Sequence, residues 1–189
     1  MQQYEPDFTR VVDAAWNRPT DRLPLYEHAV SSEVLGALLD RDVGSLLSGD
    51  ERDREEGFRV SSRYLASLGY DVFPYEGCIT ELVQGGQGLM GRAGPIVRDR
   101  HDLEAYPWDE LPNRYFARFG PSFDALERAL PPGMKAVAGV GNGPFEIAQD
   151  FVPLTDLAYL EVDDPDTFAS LWRRIGEAMY AVWARFLER

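Results

Sequence analysis

The chain has 189 residues, 44% of them apolar and 27% charged, and its 32 acids against 19 bases give a formal charge of −13. That balance describes a chain with a core rather than a disordered one, and such an excess of acids repels a phosphate backbone. Lys135 is the sole lysine and no basic stripe exists, so no nucleic-acid partner is expected. No run of about 18 apolar residues is present, which predicts no membrane span. The opening Met1-Gln2-Gln3-Tyr4-Glu5-Pro6-Asp7 lacks the basic and apolar regions of a secretory signal. Cys78 alone excludes an internal disulfide, so a reducing, cytoplasmic location is expected.

In chain order, residues 6–17 predict a helix, with Phe8, Val11, Val12, Ala15 and Trp16 at helical spacing. Arg18-Pro19-Thr20-Asp21 breaks it, and residues 22–28 predict a first strand with Pro24 near its start. Ser31 or Ser32 caps a helix carrying Val34, Leu35, Leu38 and Leu39. Asp50 opens another, charged to Glu56 and apolar at Phe58, Tyr64, Leu65 and Leu68, which Gly69 ends. Residues 70–75 predict the second strand. Residues 77–100 form a glycine-rich excursion, with a hairpin around Gly85-Gly86 tethered by Leu82, Leu89 and Met90. Residues 101–105 predict a short helix, and residues 109–130 a longer one interrupted near Gly120-Pro121. Pro131-Pro132-Gly133 is a stop, and residues 134–140 predict a third strand buried on both faces. Gly141-Asn142-Gly143 turns the chain, and Pro144 takes the first position of a helix. Asp164-Pro165 opens the last helix, whose apolar stripe is Phe168, Leu171, Trp172, Ile175, Met179, Val182, Trp183 and Phe186.

Strands that each give way to a helix predict parallel pairing with right-handed crossovers. A complete (β/α)₈ TIM barrel needs eight strands and about 250 residues. The expected fold is therefore α/β, the N-terminal part of such a barrel (about three βα units), forming a single partial-barrel domain over residues 1–189. Unpaired strand edges and the aromatic stripe of the last helix predict a homo-oligomer.

In a barrel of this kind reactive groups sit at the C-terminal ends of strands. The first strand brings Glu27 and His28 there. The second brings Tyr75 and Glu76, with Asp71 nearer its start, and the third brings Asn142, followed by Glu146 and Asp150 on the next helix. Each has a plainer alternative. His28 also suits a cap or a loop hydrogen bond, and Glu27 suits solvent or the orienting of His28. Glu146 and Asp150, four apart, also complement a helix dipole, and Asn142 suits a turn needing positive φ. One cysteine and two distant histidines, His28 and His101, match no zinc spacing, so no metal site is expected in this chain. Gly85-Gly86-Gln87-Gly88 lacks the Gly-Lys-Ser/Thr of a phosphate loop.

Several motifs in order resemble the uroporphyrinogen decarboxylase-like superfamily. They are Arg22-Leu23-Pro24-Leu25-Tyr26-Glu27-His28, Leu68-Gly69-Tyr70-Asp71-Val72 and Asp102-Leu103-Glu104-Ala105-Tyr106-Pro107-Trp108, then Gly143-Pro144-Phe145-Glu146 and Val162-Asp163-Asp164-Pro165-Asp166. The resemblance implies a barrel that either decarboxylates uroporphyrinogen III in tetrapyrrole synthesis or transfers methyl groups to or from corrinoid or thiol carriers. Zinc and corrinoid would require a C-terminal half beyond this chain, so no cofactor is expected here. Where the decarboxylases carry an arginine-rich stretch after strand one, this chain reads Glu27-His28-Ala29-Val30-Ser31-Ser32. The resemblance thus implies the methyltransferase-like branch, acting on a small-molecule substrate or a corrinoid protein, and inactive as this segment alone. Uroporphyrinogen decarboxylation and a non-catalytic, self-associating fragment remain the alternatives. The expected catalytic residues are Glu27, His28 and Glu146. Asp71 (the nearest counterpart of the decarboxylase aspartate), Tyr75, Asn142 and Asp150 are the expected substrate-binding residues.

Overall fold

Short polar side chains cap the N-termini of several helices. In the computed structural model, which describes residues 4–83 and 94–188, the order is α1 (Thr9–Ala15), α2 (Ser32–Leu39), α3 (Val43–Ser48), α4 (Glu51–Ser67) and β1 (Val72–Cys78). A 3-10 turn (Ile79–Leu82), α5 (Arg100–Ala105), a second 3-10 turn (Trp108–Glu110), α6 (Leu111–Ala129) and β2 (Lys135–Gly141) follow. The chain ends with α7 (Pro144–Phe151), α8 (Leu154–Asp163) and α9 (Pro165–Leu187). Ser31 caps α2 through the Val34 N–H, and Asp42 caps α3 through the Ser45 N–H. Asp50 accepts from the Arg52 and Asp53 N–H groups while Asp53 accepts from Asp50, a reciprocal box that satisfies the orphan donors of α4. Asp164 accepts from the Thr167 N–H, and Pro165 starts α9 where no N–H is needed.

β1 and β2 pair as a parallel, open two-stranded sheet, and no third strand joins them among the described residues. This overturns the barrel expectation. The segment expected as strand one is irregular chain, with Leu23 82% exposed and Tyr26 also exposed. Two local causes are visible. Pro24 cannot donate to a ladder, and Arg22 is drawn aside by an ion pair to Asp71 at 2.6 Å. Among the described residues, the fold is mostly helical around one open two-stranded parallel sheet.

Smaller expectations also change. α6 continues from Leu111 to Ala129 with the exposed Pro121 inside it, so the proline removes a backbone donor without ending the helix. α3 and α8 were not expected. β2 is buried only at Gly139, Val140 and Gly141, while Lys135 and Val137 are exposed. The hairpin expected at Gly85-Gly86, with Leu89 and Met90, lies outside the described residues.

The chain forms two compact units, Met1–Tyr75 with Phe119–Ala138, and Glu76–Arg118 with Gly139–Arg189. The division falls within β1, α6 and β2.

In the first unit, α4 packs on α3, and the core joins Phe58 and Leu65 of α4, Phe73 of β1, Leu126 and Ala129 of α6, and Met134. Phe58 meets Phe73 and Tyr75 edge-on at 6.1 and 5.2 Å, and Tyr75 meets Phe123 at 5.3 Å. Such edge-to-face pairs contribute about 0.5–1.5 kcal/mol each beyond burial. Gly133 has φ +81°, and its carbonyl accepts from the Phe8 N–H at 2.9 Å. A Cβ there would stand 2.0 Å from the Pro6 carbonyl oxygen, so only glycine fits.

In the second unit, α9 packs against α7, α8 and α5, burying Leu171, Ile175 and Val182. Phe145 stacks on Trp172 at 6.3 Å, and a Cβ at Gly139 would meet the Trp183 ring at 3.0 Å, so the ring would have to shift by a few tenths of an ångström. The buried Tyr115 hydroxyl lies 3.1 Å from the Gly77 carbonyl and 3.3 Å from that of Gly139, one carbonyl on each strand. The last-helix stripe is thus covered at Leu171, Ile175 and Val182 and half-buried at Phe168, Trp172, Trp183 and Phe186.

Candidate functional site

The expected site residues divide between the two units. Glu27 and His28 lie exposed on the irregular segment, not at a strand end. Asp71 is fully buried at the start of β1. Its Oδ1 accepts from the Tyr4 hydroxyl, the Asp7 N–H (2.8 Å) and Arg10 (3.0 Å), and its Oδ2 from Arg22 (2.6 Å). Arg10 also holds Asp21 at 2.8 Å, and Arg22 donates to the Gly69 carbonyl. Asp21 and Asp71 raise the already high pKa of Arg10 further, and burial raises that of Tyr4. Every partner in this cluster comes from the chain itself, so a ligand could reach Asp71 only by displacing one. Tyr75 belongs to the aromatic core described above.

Asn142 and Glu146 are brought together at the carboxyl end of β2. Asn142 has φ +73°, and its Oδ1 accepts from the hydroxyl of Thr80 at 2.8 Å. Glu146 accepts from the Gly143 N–H at 2.7 Å, the return half of a capping box. Both are engaged in the turn. Asp150, one helical turn further, is 6% exposed. Nearby, Cys78 is half-buried, and its thiol is pushed up by burial and then by Glu81, Glu76 and Glu146. A thiolate nucleophile needs the opposite environment. Among the described residues no three His, Cys, Asp or Glu side chains converge as a metal site requires.

A small concavity lies elsewhere in the second unit. Asp99 caps α5 by accepting from the Asp102 N–H at 3.0 Å, and Pro107 keeps Tyr106 extended and ends the helix. The Trp108 indole N–H donates back to the Leu103 carbonyl at 2.8 Å, which fixes the ring. Tyr106, Trp108 and Phe151 then form an aromatic cluster with ring centroids 4.7–4.8 Å apart. Beside it opens a cleft of about 250 Å³, somewhat smaller than the roughly 300–1,000 Å³ of most ligand pockets. Glu104, Tyr106, Trp108, Asp109 and Glu110 line it, and Arg174 enters from α9. The Tyr106 hydroxyl faces away from water, and burial raises its pKa against the pull of Arg114, so the phenol stays neutral. Glu104 holds Arg100 only at 3.5 Å with both side chains exposed.

Comparisons with protein-family models, with curated proteins and with solved structures find no match. The membership in the uroporphyrinogen decarboxylase-like superfamily expected from the motifs therefore has no support beyond them, and the open two-stranded sheet conflicts with its barrel. Corrinoid or thiol methyl transfer and uroporphyrinogen decarboxylation in tetrapyrrole synthesis both rested on that architecture. They fall with it. No described helix is long and apolar enough to cross a membrane.

The residues lining the cleft are not among those the sequence singles out, because Tyr106-Pro107-Trp108 falls inside a segment that resembles a family motif. The signal that points to them is the interleaving of acids and aromatics over Glu104, Tyr106, Trp108, Asp109 and Glu110, around a proline that must end the helix.

Proposed function

We propose that this chain binds a small organic cation, an ammonium compound, in the cleft beside Trp108. The observation that carries the reading is a cleft whose lining brings Tyr106 and Trp108 together with three carboxylates and one guanidinium. Carboxylates accept the N–H groups of an ammonium, and ring faces attract its charge. The net charge of −13 steers cations toward the surface at low ionic strength. A cytoplasmic, small-molecule role agrees with the single cysteine, Cys78.

The test is a titration of the full chain with propylamine and with the neutral isostere propanol, followed by amide chemical shifts at Glu104 to Glu110. Saturable shifts are expected for propylamine at a Kd in the roughly millimolar range or tighter, and none for propanol. An Asp109→Asn/Glu110→Gln variant should weaken the amine at least about tenfold, as two charge-assisted contacts disappear. Equal, non-saturating shifts for amine and alcohol would overturn the reading.

A further inference from the structure

We infer that the ligand of this cleft is a zwitterion of the amino-acid class, its carboxylate read by Arg174 and its ammonium by Glu104, Asp109 and Glu110. This inference rests on the cation reading and adds the second charge.

The argument begins with what Arg174 does not do. It lines the same cleft as three carboxylates, yet among the described residues it forms no ion pair with any of them. Its ion-pair partner there is Glu177, three residues along the same helix, at 3.4 Å and with side chains 43% and 56% exposed. A long, exposed pair of that spacing contributes little and leaves the guanidinium donors available. The segment that carries Glu104 on α5 and Asp109 and Glu110 on the following 3-10 turn is tied by the Trp108–Leu103 hydrogen bond and the aromatic cluster. It therefore does not collapse onto Arg174, and the cleft stays open between opposite charges.

Such a cleft selects by charge pattern. A simple amine meets the carboxylates but is repelled by Arg174, and a simple acid meets Arg174 but is repelled by the carboxylates. A molecule carrying both groups satisfies both walls. Guanidinium and carboxylate also match in fork geometry, which a lone ammonium cannot exploit.

Parallel titrations with propylamine, glycine, β-alanine and 4-aminobutanoate test this, using the full chain and an Arg174→Gln variant. Arg174 is only partly buried, and a thermal melt of the variant verifies that the fold is kept. At least one amino acid should bind about ten- to a hundredfold tighter than propylamine, the value of one charged hydrogen-bonding partner. In Arg174→Gln that advantage should vanish while propylamine binds tighter, because a like charge has been removed. Propylamine binding as tightly as every amino acid, or Arg174→Gln weakening all probes alike, would sink the zwitterion and leave the cation reading standing. Silence from every probe sinks both.

Discussion

Replacing Asp71 with asparagine keeps its volume and removes its charge, which isolates what the buried cluster contributes. In the native chain one fully buried carboxylate accepts from Tyr4, Asp7, Arg10 and Arg22. After substitution the amide presents its own N–H groups to guanidinium donors, so at least one of Arg10 and Arg22 loses its acceptor. Breaking a buried ion pair from one side costs about 3–5 kcal/mol. The Arg10 and Arg22 side chains are 20% and 30% exposed, and Arg10 keeps Asp21, so water and the remaining partner recover part of this. A loss of about 2–4 kcal/mol is the expectation, which at this chain length lowers Tm by roughly 4–16 °C. Urea unfolding should show a lower midpoint with an unchanged slope. Asp21→Asn, at a site 66% exposed, should move the midpoint far less. If Asp71→Asn costs under about 1 kcal/mol, the cluster is not an anchor for the N-terminal segment, and the reasoning from burial fails.

Two further outcomes follow from local geometry. Gly133→Ala forces a Cβ against the Pro6 carbonyl at a left-handed φ, so it should destabilise by more than the roughly 1–2 kcal/mol of the backbone term alone; an unchanged melt would refute this. The thiol of Cys78 is raised by burial and three glutamates, so its thiolate forms only at a pH above the range of an ordinary cysteine. Alkylation by iodoacetamide at pH 7.5 should then run slower than for an unstructured cysteine peptide. Because the folded pKa lies above the unfolded one, stability from this group is present below the ordinary thiol range and is lost as pH rises through the folded value. Peptide-like reactivity in the native chain would count against the carboxylate environment.

Helices with both a cap and a periodic face were legible, α2 behind Ser31, α4 behind Asp50 and α9 behind Asp164-Pro165, and α1, α5 and α6 were legible from periodicity and proline stops. β1 and β2 were legible as apolar runs between a helix-ending glycine or proline stop and a glycine turn. The failure at residues 22–28 has a definite cause. An apolar run with one proline reads as a strand, but a strand exists only if a neighbour offers a ladder, and no periodicity in this chain reports that. The family motifs failed for a related reason. Gly69 is a left-handed helix stop at φ +91°, Glu146 caps the turn before α7, and Asp164-Pro165 starts α9. These are the grammar of helix ends, shared by unrelated chains, and they specify local structure without specifying a barrel. The cleft was illegible for a third reason, since Arg174 lies far along the chain from Glu104 to Glu110 and only the packing of α9 brings it there.

The division of the chain has a consequence for synthesis. The apolar face formed by Phe58, Leu65 and Phe73 is complete once residue 73 emerges from the ribosome, but Leu126, Ala129 and Met134, which cover it, come much later. At ordinary elongation rates that interval lasts about 3–12 s, far longer than hydrophobic collapse takes. During it the nascent chain carries a finished but uncovered half-core, with the strand edge of β1 beside it. The charged opening of α4, Glu51 to Glu56, emerges just ahead of that face. Its repulsion between neighbouring nascent chains is the protection available until α6 arrives, so crowded polysomes at high salt are where this chain is most exposed to misassembly.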